Sequence, residues 1–251
     1  MTHPKFLDTA SGRRIAFHLT PGKAPGVVFL GGFMSDMEGT KAVHLEDWAQ
    51  RTGRAFLRFD YSGHGQSSGA FADGTIGDWA EDAIAAISAL TEGPQVLIGS
   101  SMGGWIALLV TRALPDRVAG LVGIAAAPDF TEDSMWAGFT EAQKAALIRN
   151  GQIELPSDYD DPYVITRALI EDGRNNLVLR DPLNLPFPVR LLQGTSDADV
   201  DQSVALRLLE HAQGDDIRLT LVKGADHRFS TPECLALIEK SVEKILVRAG
   251  N

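Results

Sequence analysis

Gln95-Val96-Leu97-Ile98-Gly99-Ser100-Ser101-Met102-Gly103-Gly104-Trp105-Ile106-Ala107 is the stretch on which the architecture turns. The apolar run at 96–98 predicts a buried strand. A G-x-S-x-G motif follows at 99–103, and then a helix-like apolar run. Strand, sharp turn and helix in that order lift a serine hydroxyl above the end of a sheet and aim the helix N-terminus at it. Glycines at 99 and 103 remove the Cβ atoms that would collide where strand and helix approach. Ser101 is therefore the candidate nucleophile. With 25 Gly in 251 residues, the bare pattern arises by chance in roughly one such chain in seven. The strand before it and the helix after it carry the argument; the alternative is a tight turn with a solvent-facing serine.

Outward from this turn, strands and helices alternate. Residues 6–8 and 14–18 flank Thr9-Ala10-Ser11-Gly12, a turn signal, and predict an opening hairpin. Further strands are predicted at 26–30, 55–59, 118–125, 189–193 and 217–222. Helices are predicted at 41–52, 76–90, 104–113, 203–212 and 232–247. The first of these has apolar spacing at Val43, Leu45, Trp48 and Ala49, and Gly53 suits its stop. Short β-branched and Leu strands separated by helices imply an α/β class, a mostly parallel sheet with helices on both faces. One domain spanning 1–251 is expected. Right-handed crossovers place functional loops beyond the strand C-termini, where 99–103, 194–200 and 224–227 all fall.

One segment breaks the rhythm. About 60 residues without a clear strand separate 125 from 189, too many for an ordinary loop. Helical stretches at 141–149 and 163–172 lie within it, as do Trp136, Phe139, Tyr159 and Tyr163. This predicts a helical cap inserted at about 128–186 over the active site, against the plainer alternative of an excursion packed on the sheet.

Composition narrows the class. The chain is 44% hydrophobic and 22% charged, ordinary for a globular protein with a large core. A net charge of −10 and a pI near 5.0 argue against nucleic acid or anionic membrane surfaces as partners. Cys234 is the single cysteine, so no intramolecular disulfide forms; it reads as a small core residue in a reducing compartment. The N-terminal residues show neither a long apolar stretch nor an Arg-rich presequence. No window approaches the roughly 20 apolar residues of a membrane span. These features set the expectation of a cytoplasmic protein.

A serine at its ordinary pKa needs a general base, and the base needs an orienting carboxylate. On this architecture the expected order is Ser, then Asp or Glu, then His. After the last predicted strand comes Lys223-Gly224-Ala225-Asp226-His227. His211 falls inside a predicted helix, so His227 is the candidate base. After the strand at 189–193 comes Gly194-Thr195-Ser196-Asp197-Ala198-Asp199-Val200-Asp201. Asp197 is favoured as the acid over Asp199, with an apolar anchor at Val200; Asp201 reads as the cap of the next helix. The oxyanion needs preorganised donors. The backbone N–H groups of Met102 and of Phe33, in the loop Gly31-Gly32-Phe33-Met34, are the candidates. His64 precedes the serine and reads as structural. Phosphate-loop, dinucleotide and metal-ligand spacings such as C-x-x-C or H-E-x-x-H are missing from the sequence, so neither cofactor nor metal is expected.

Five stretches together resemble the α/β-hydrolase superfamily over nearly the whole chain: Gly31-Gly32-Phe33, Asp60-Tyr61-Ser62-Gly63-His64-Gly65-Gln66-Ser67, Gly99-Ser100-Ser101-Met102-Gly103-Gly104, Gly194-Thr195-Ser196-Asp197 and Gly224-Ala225-Asp226-His227. Within it, the chain is most similar to the small thioesterase group of mitochondrial palmitoyl-protein thioesterases, also described as mycophenolic acid acyl-glucuronide esterases. That likeness rests on Arg58-Phe59-Asp60-Tyr61-Ser62-Gly63, residues 93–105, Leu155-Pro156-Ser157-Asp158-Tyr159 and Asp226-His227-Arg228. The resemblance implies an α/β-hydrolase fold and Ser101, Asp197 and His227 as a triad. It implies hydrolysis of a small acyl ester or thioester, an acyl-glucuronide or an S-acylated protein among them. Two rival expectations stand beside it: a peptidase or C–C hydrolase on the same triad, and a non-catalytic ligand-binding protein of the same fold. Dehalogenase and epoxide-hydrolase chemistry is disfavoured, because those members carry aspartate where this chain has Ser101.

Overall fold

A computed structural model of the chain describes residues 3–155 and 163–249. Its frame is an eight-stranded sheet. The strands are β1 (Lys5–Asp8), β2 (Arg14–Thr20), β3 (Lys23–Leu30), β4 (Arg54–Phe59), β5 (Gln95–Ser100), β6 (Val118–Ile124) and, after the insertion, two more. The insertion contributes a hairpin of β7 (Gln152–Leu155) and β8 (Tyr163–Thr166). The short β9 (Leu183–Asn184) follows and pairs with β11 (Ala212–Gln213). The main sheet is completed by β10 (Val189–Gly194) and β12 (Ile217–Val222). Its order is β1-β2-β4-β3-β5-β6-β10-β12. Within this sheet only the β1–β2 and β2–β4 pairings are antiparallel; β4, β3, β5, β6, β10 and β12 run parallel.

Parallel strands buried on both faces read as continuous apolar runs, and side-chain alternation sorts each run between two cores. Val28, Leu30 and Leu97 point to one face, where they meet α2 (Ile76–Leu90) and α3 (Met102–Ala113). Val27, Phe29, Val96 and Ile98 point to the other, against α1 (Thr40–Thr52) and α7 (Pro232–Ala249). Each large apolar side chain so buried contributes about 1.5–3 kcal/mol. Local signals set the ends. Gly53 closes α1 at φ 66, a left-handed conformation that disfavours a Cβ. The Asp201 carboxylate accepts the Ser203 N–H at 2.8 Å to start α6 (Gln202–His211), as the sequence reading expects. Cys234 is buried in the second core.

The insertion departs from expectation in one respect. It holds α4 (Glu141–Asn150) and α5 (Arg167–Asn175), but 163–166 is a strand rather than the start of a helix. Tyr163-Val164-Ile165-Thr166 is aromatic and β-branched, and it pairs antiparallel with β7. Thr166 then accepts the Leu169 N–H at 3.1 Å and starts α5. The segment expected to form a helical cap therefore mixes helix and strand, with a π-helical turn at Thr131–Trp136 as well. Tyr159 and the Pro156–Tyr159 part of the thioesterase likeness lie outside the described residues.

Candidate active site

Ser101 sits on the turn between β5 and α3 at φ 54, ψ −119. A non-glycine residue with positive φ costs about 1–3 kcal/mol and persists only when its surroundings fix it. Here the Ser101 N–H donates to the Ile124 carbonyl at 2.9 Å. Its own carbonyl accepts from Gly104 at 2.9 Å and Ala127 at 3.1 Å. The flanking glycines are required by space. A Cβ on Gly99 would lie 2.3 Å from the Gly103 carbonyl oxygen, and one on Gly103 would lie 2.1 Å from the Leu30 carbonyl oxygen.

The side chains predicted from three separate loops meet. His227 Nε2 lies 3.1 Å from Ser101 Oγ, and His227 Nδ1 lies 2.9 Å from Asp197 Oδ2. A carboxylate only accepts, so Nδ1 carries the proton and Nε2 accepts the Ser101 hydroxyl proton. Asp197 is held from several sides. Its Oδ1 accepts the N–H groups of Asp199 at 2.9 Å and Val200 at 2.8 Å, and its Oδ2 accepts the Gln193 amide at 2.9 Å. Burial raises the Asp197 pKa, but the His227 bond and these backbone donors outweigh it, and the net shift is downward. Asp199 and Asp201 make no such contact with His227: Asp199 is exposed, and Asp201 caps α6.

The loop after β3 lies against this serine. A Cβ on Gly32 would stand 3.4 Å from the Ser101 Cβ. The Phe33 ring is fixed edge-on by Phe71, Trp79 and Phe130 at centroid distances of 4.8, 5.9 and 5.7 Å. Asp60 ties this loop to its own, accepting the Met37 N–H at 2.6 Å and the Gln66 N–H at 2.8 Å. Its burial raises the carboxyl pKa, against the lowering by those two donors. His64 is buried, with Nδ1 3.1 Å from the Ser62 carbonyl oxygen and its ring among Tyr61, Phe71 and Trp79.

These residues open onto a cavity of about 670 Å³. One wall carries Phe130, Met135, Leu155, Tyr163 and Ile165 from the insertion; another carries Lys41, Asp226 and Arg228 beside His227. Lys41 was not singled out in the sequence, where a lysine at a helix start reads as a solvated charge. As for metal, Asp197, Asp199 and His227 bring ligand atoms within 4.8 Å of one another. Asp197 and His227 already spend those atoms on each other and on backbone N–H groups.

A family model described as serine aminopeptidase, S33 matches residues 24–171. The chain belongs to this α/β-hydrolase family. Mouse mitochondrial palmitoyl-protein thioesterase ABHD10 is 34% identical to this hydrolase over 243 residues, covering 96% of the chain and 82% of its own length. The solved structure of alpha/beta hydrolase domain-containing protein 10 from mouse superposes with a TM-score of 0.91 at 31% identity, covering 98% of this hydrolase and 99% of that chain. A crystal structure of an Agrobacterium vitis S4 protein superposes with a TM-score of 0.92 at 41% identity, covering 98% of each chain. The cytoplasmic expectation is corrected by these relatives. The mammalian thioesterases that match are named mitochondrial, which points to the mitochondrion. A lone cysteine does not distinguish one thiol-reducing compartment from another. Among the described residues, no helix is long and apolar enough to cross a membrane.

Proposed function

We propose that this hydrolase is a serine esterase or thioesterase acting through an acyl-enzyme. The observation that carries the reading is the His227 ring, placed between Ser101 Oγ at 3.1 Å and Asp197 Oδ2 at 2.9 Å, with Ser101 and His227 lining one cavity. Ser101 Oγ attacks the acyl carbon while His227 Nε2 takes its proton. The backbone N–H groups of Met102 and Phe33 receive the oxyanion; losing one such donor costs about 3–4 kcal/mol of barrier. His227 returns the proton to the departing thiol or alcohol. It then activates a water that attacks the Ser101 ester and releases the carboxylic acid. Asp197 holds the ring in its Nδ1–H tautomer and stabilises the imidazolium.

The substrate class follows the apolar wall from Phe130 to Ile165, which suits an acyl chain, and the thioesterase names of the mammalian relatives. Acyl thioesters, acyl-glucuronides and S-acylated proteins are the candidate substrates. The test is kcat/KM over matched series of thioesters, oxoesters and anilides with acyl chains of increasing length. Thioesters and oxoesters are expected to be cleaved far faster than anilides. A preference for the anilides would overturn the assignment in favour of a peptidase, and binding without turnover in every series would make the chain a ligand-binding protein.

A further inference from the structure

Lys41 lines the same cavity as Ser101 and His227. It lies in the first turn of α1, which carries no acidic residue. A cation is locally unfavourable there, because the helix dipole presents its positive end. Such a break of a local rule is expected where a site requires it. An ammonium has three donors. One reaches the Arg228 carbonyl oxygen at 2.5 Å, which sets the Lys41 head beside the residue after His227. Among the described residues, no carboxylate pairs with Lys41 within 4.0 Å and no other acceptor takes its remaining protons. Asp226, the nearby acid on this wall, instead accepts the Phe229 N–H at 3.1 Å. Burial lowers the Lys41 pKa, Asp226 partly restores it, and the Arg228 guanidinium lowers it further. The head is thus a half-buried cation on the cavity lining with donors to spare.

The position has a chemical meaning under the proposed serine mechanism, on which this inference rests. His227 protonates the leaving group, so the leaving group lies on the His227 side of the cavity. The acyl chain takes the apolar wall of the insertion. We propose that Lys41 is a specificity-determining residue that pairs with an anionic group, carboxylate or phosphate, carried by the leaving group. Arg228, exposed on the same lining, offers a second cation there beside the carboxylates of Asp199 and Asp226.

Two matched pairs of octanoyl thioesters test it. One pair uses 3-mercaptopropionate and its neutral amide; the other uses phosphopantetheine and neutral pantetheine. The wild type is expected to favour the anionic member in at least one pair by about tenfold in kcat/KM, chiefly through KM. The pair that responds tells carboxylate from phosphate. Lys41→Met is expected to bring that ratio to about one, and Lys41→Arg to keep most of it. No preference in either pair, or a ratio untouched by Lys41→Met, overturns the inference, the latter meaning that Lys41 serves only the Arg228 loop. Turnover without charge preference leaves the esterase reading standing. Wild-type enzyme that turns over none of the four overturns both.

Discussion

The Asp129 carboxylate accepts the backbone N–H of Leu179 at 3.0 Å, across 50 residues of sequence. It also accepts the Val178 N–H at 2.8 Å and an Arg180 N–H at 3.1 Å. The chain leaves the sheet for the insertion just before Asp129 and begins its return near Leu179, so one side chain pins both ends of the excursion. Asp129 has a positive φ of 58 and is fully buried.

Removing that clasp leaves two buried N–H groups without an acceptor. Asp129→Ala is expected to cost about 2–4 kcal/mol of stability. Asp129→Asn, which keeps one carbonyl oxygen, is expected to cost less. Urea unfolding of the three proteins measures it; equal midpoints would contradict the role given to Asp129.

Asp197 and Asp199 are two residues apart, yet only Asp197 reaches His227. Asp197→Asn is expected to lower kcat by roughly 10⁴, since the amide favours the wrong imidazole tautomer. Asp199→Asn is expected to stay within about threefold. Steady-state kinetics on one thioester separates them, and a reversed ranking would move the acid to Asp199.

Gly103 has backbone where a Cβ would go, 2.1 Å from the Leu30 carbonyl oxygen and 2.6 Å from that of Gly31. Gly103→Ala is expected to destabilise by about 3 kcal/mol or more. It is also expected to lower kcat, because the displaced carbonyls lead straight into the loop holding Phe33. Calorimetry with kinetics checks both; an unchanged melting temperature would refute the close approach.

His64 supplies the pH prediction. Burial lowers its pKa below 6.5, against opposing contributions from the Ser62 carbonyl and Asp82. The fold therefore favours the neutral ring. Its contribution to stability is complete above the unfolded value of 6.5 and is lost as pH falls through the lower folded value. Melting temperature is expected to fall on acidification below pH 6.5, and to fall less steeply in His64→Gln. Parallel curves for the two proteins would show that His64 does not titrate on unfolding.

The sheet was legible because its strands are buried on both faces, so that Val27–Leu30 and Val96–Ile98 appear as bare apolar runs. The turn at Ser101 was legible because glycines mark where backbone must pass backbone. Val200 marks out Asp197 from Asp199 in the sequence, and its N–H bonds the Asp197 carboxylate. The hairpin of β7 and β8 was not legible: four residues of Tyr163–Thr166 are too few to show a period, and α5 follows at once. Asp129 and Lys41 were silent for a different reason. Each acts through partners tens of residues or more away, and a lone charged side chain carries no pattern that reports such partners.

Covalent capture shows whether Ser101 is the nucleophile. A fluorophosphonate probe is expected to add once to the wild-type protein, with peptide mass spectrometry placing the adduct on Ser101. Ser101→Ala, verified as folded by its melting curve, is expected to remain unlabelled. Equal labelling of the two proteins, or an adduct on another residue, would contradict the account.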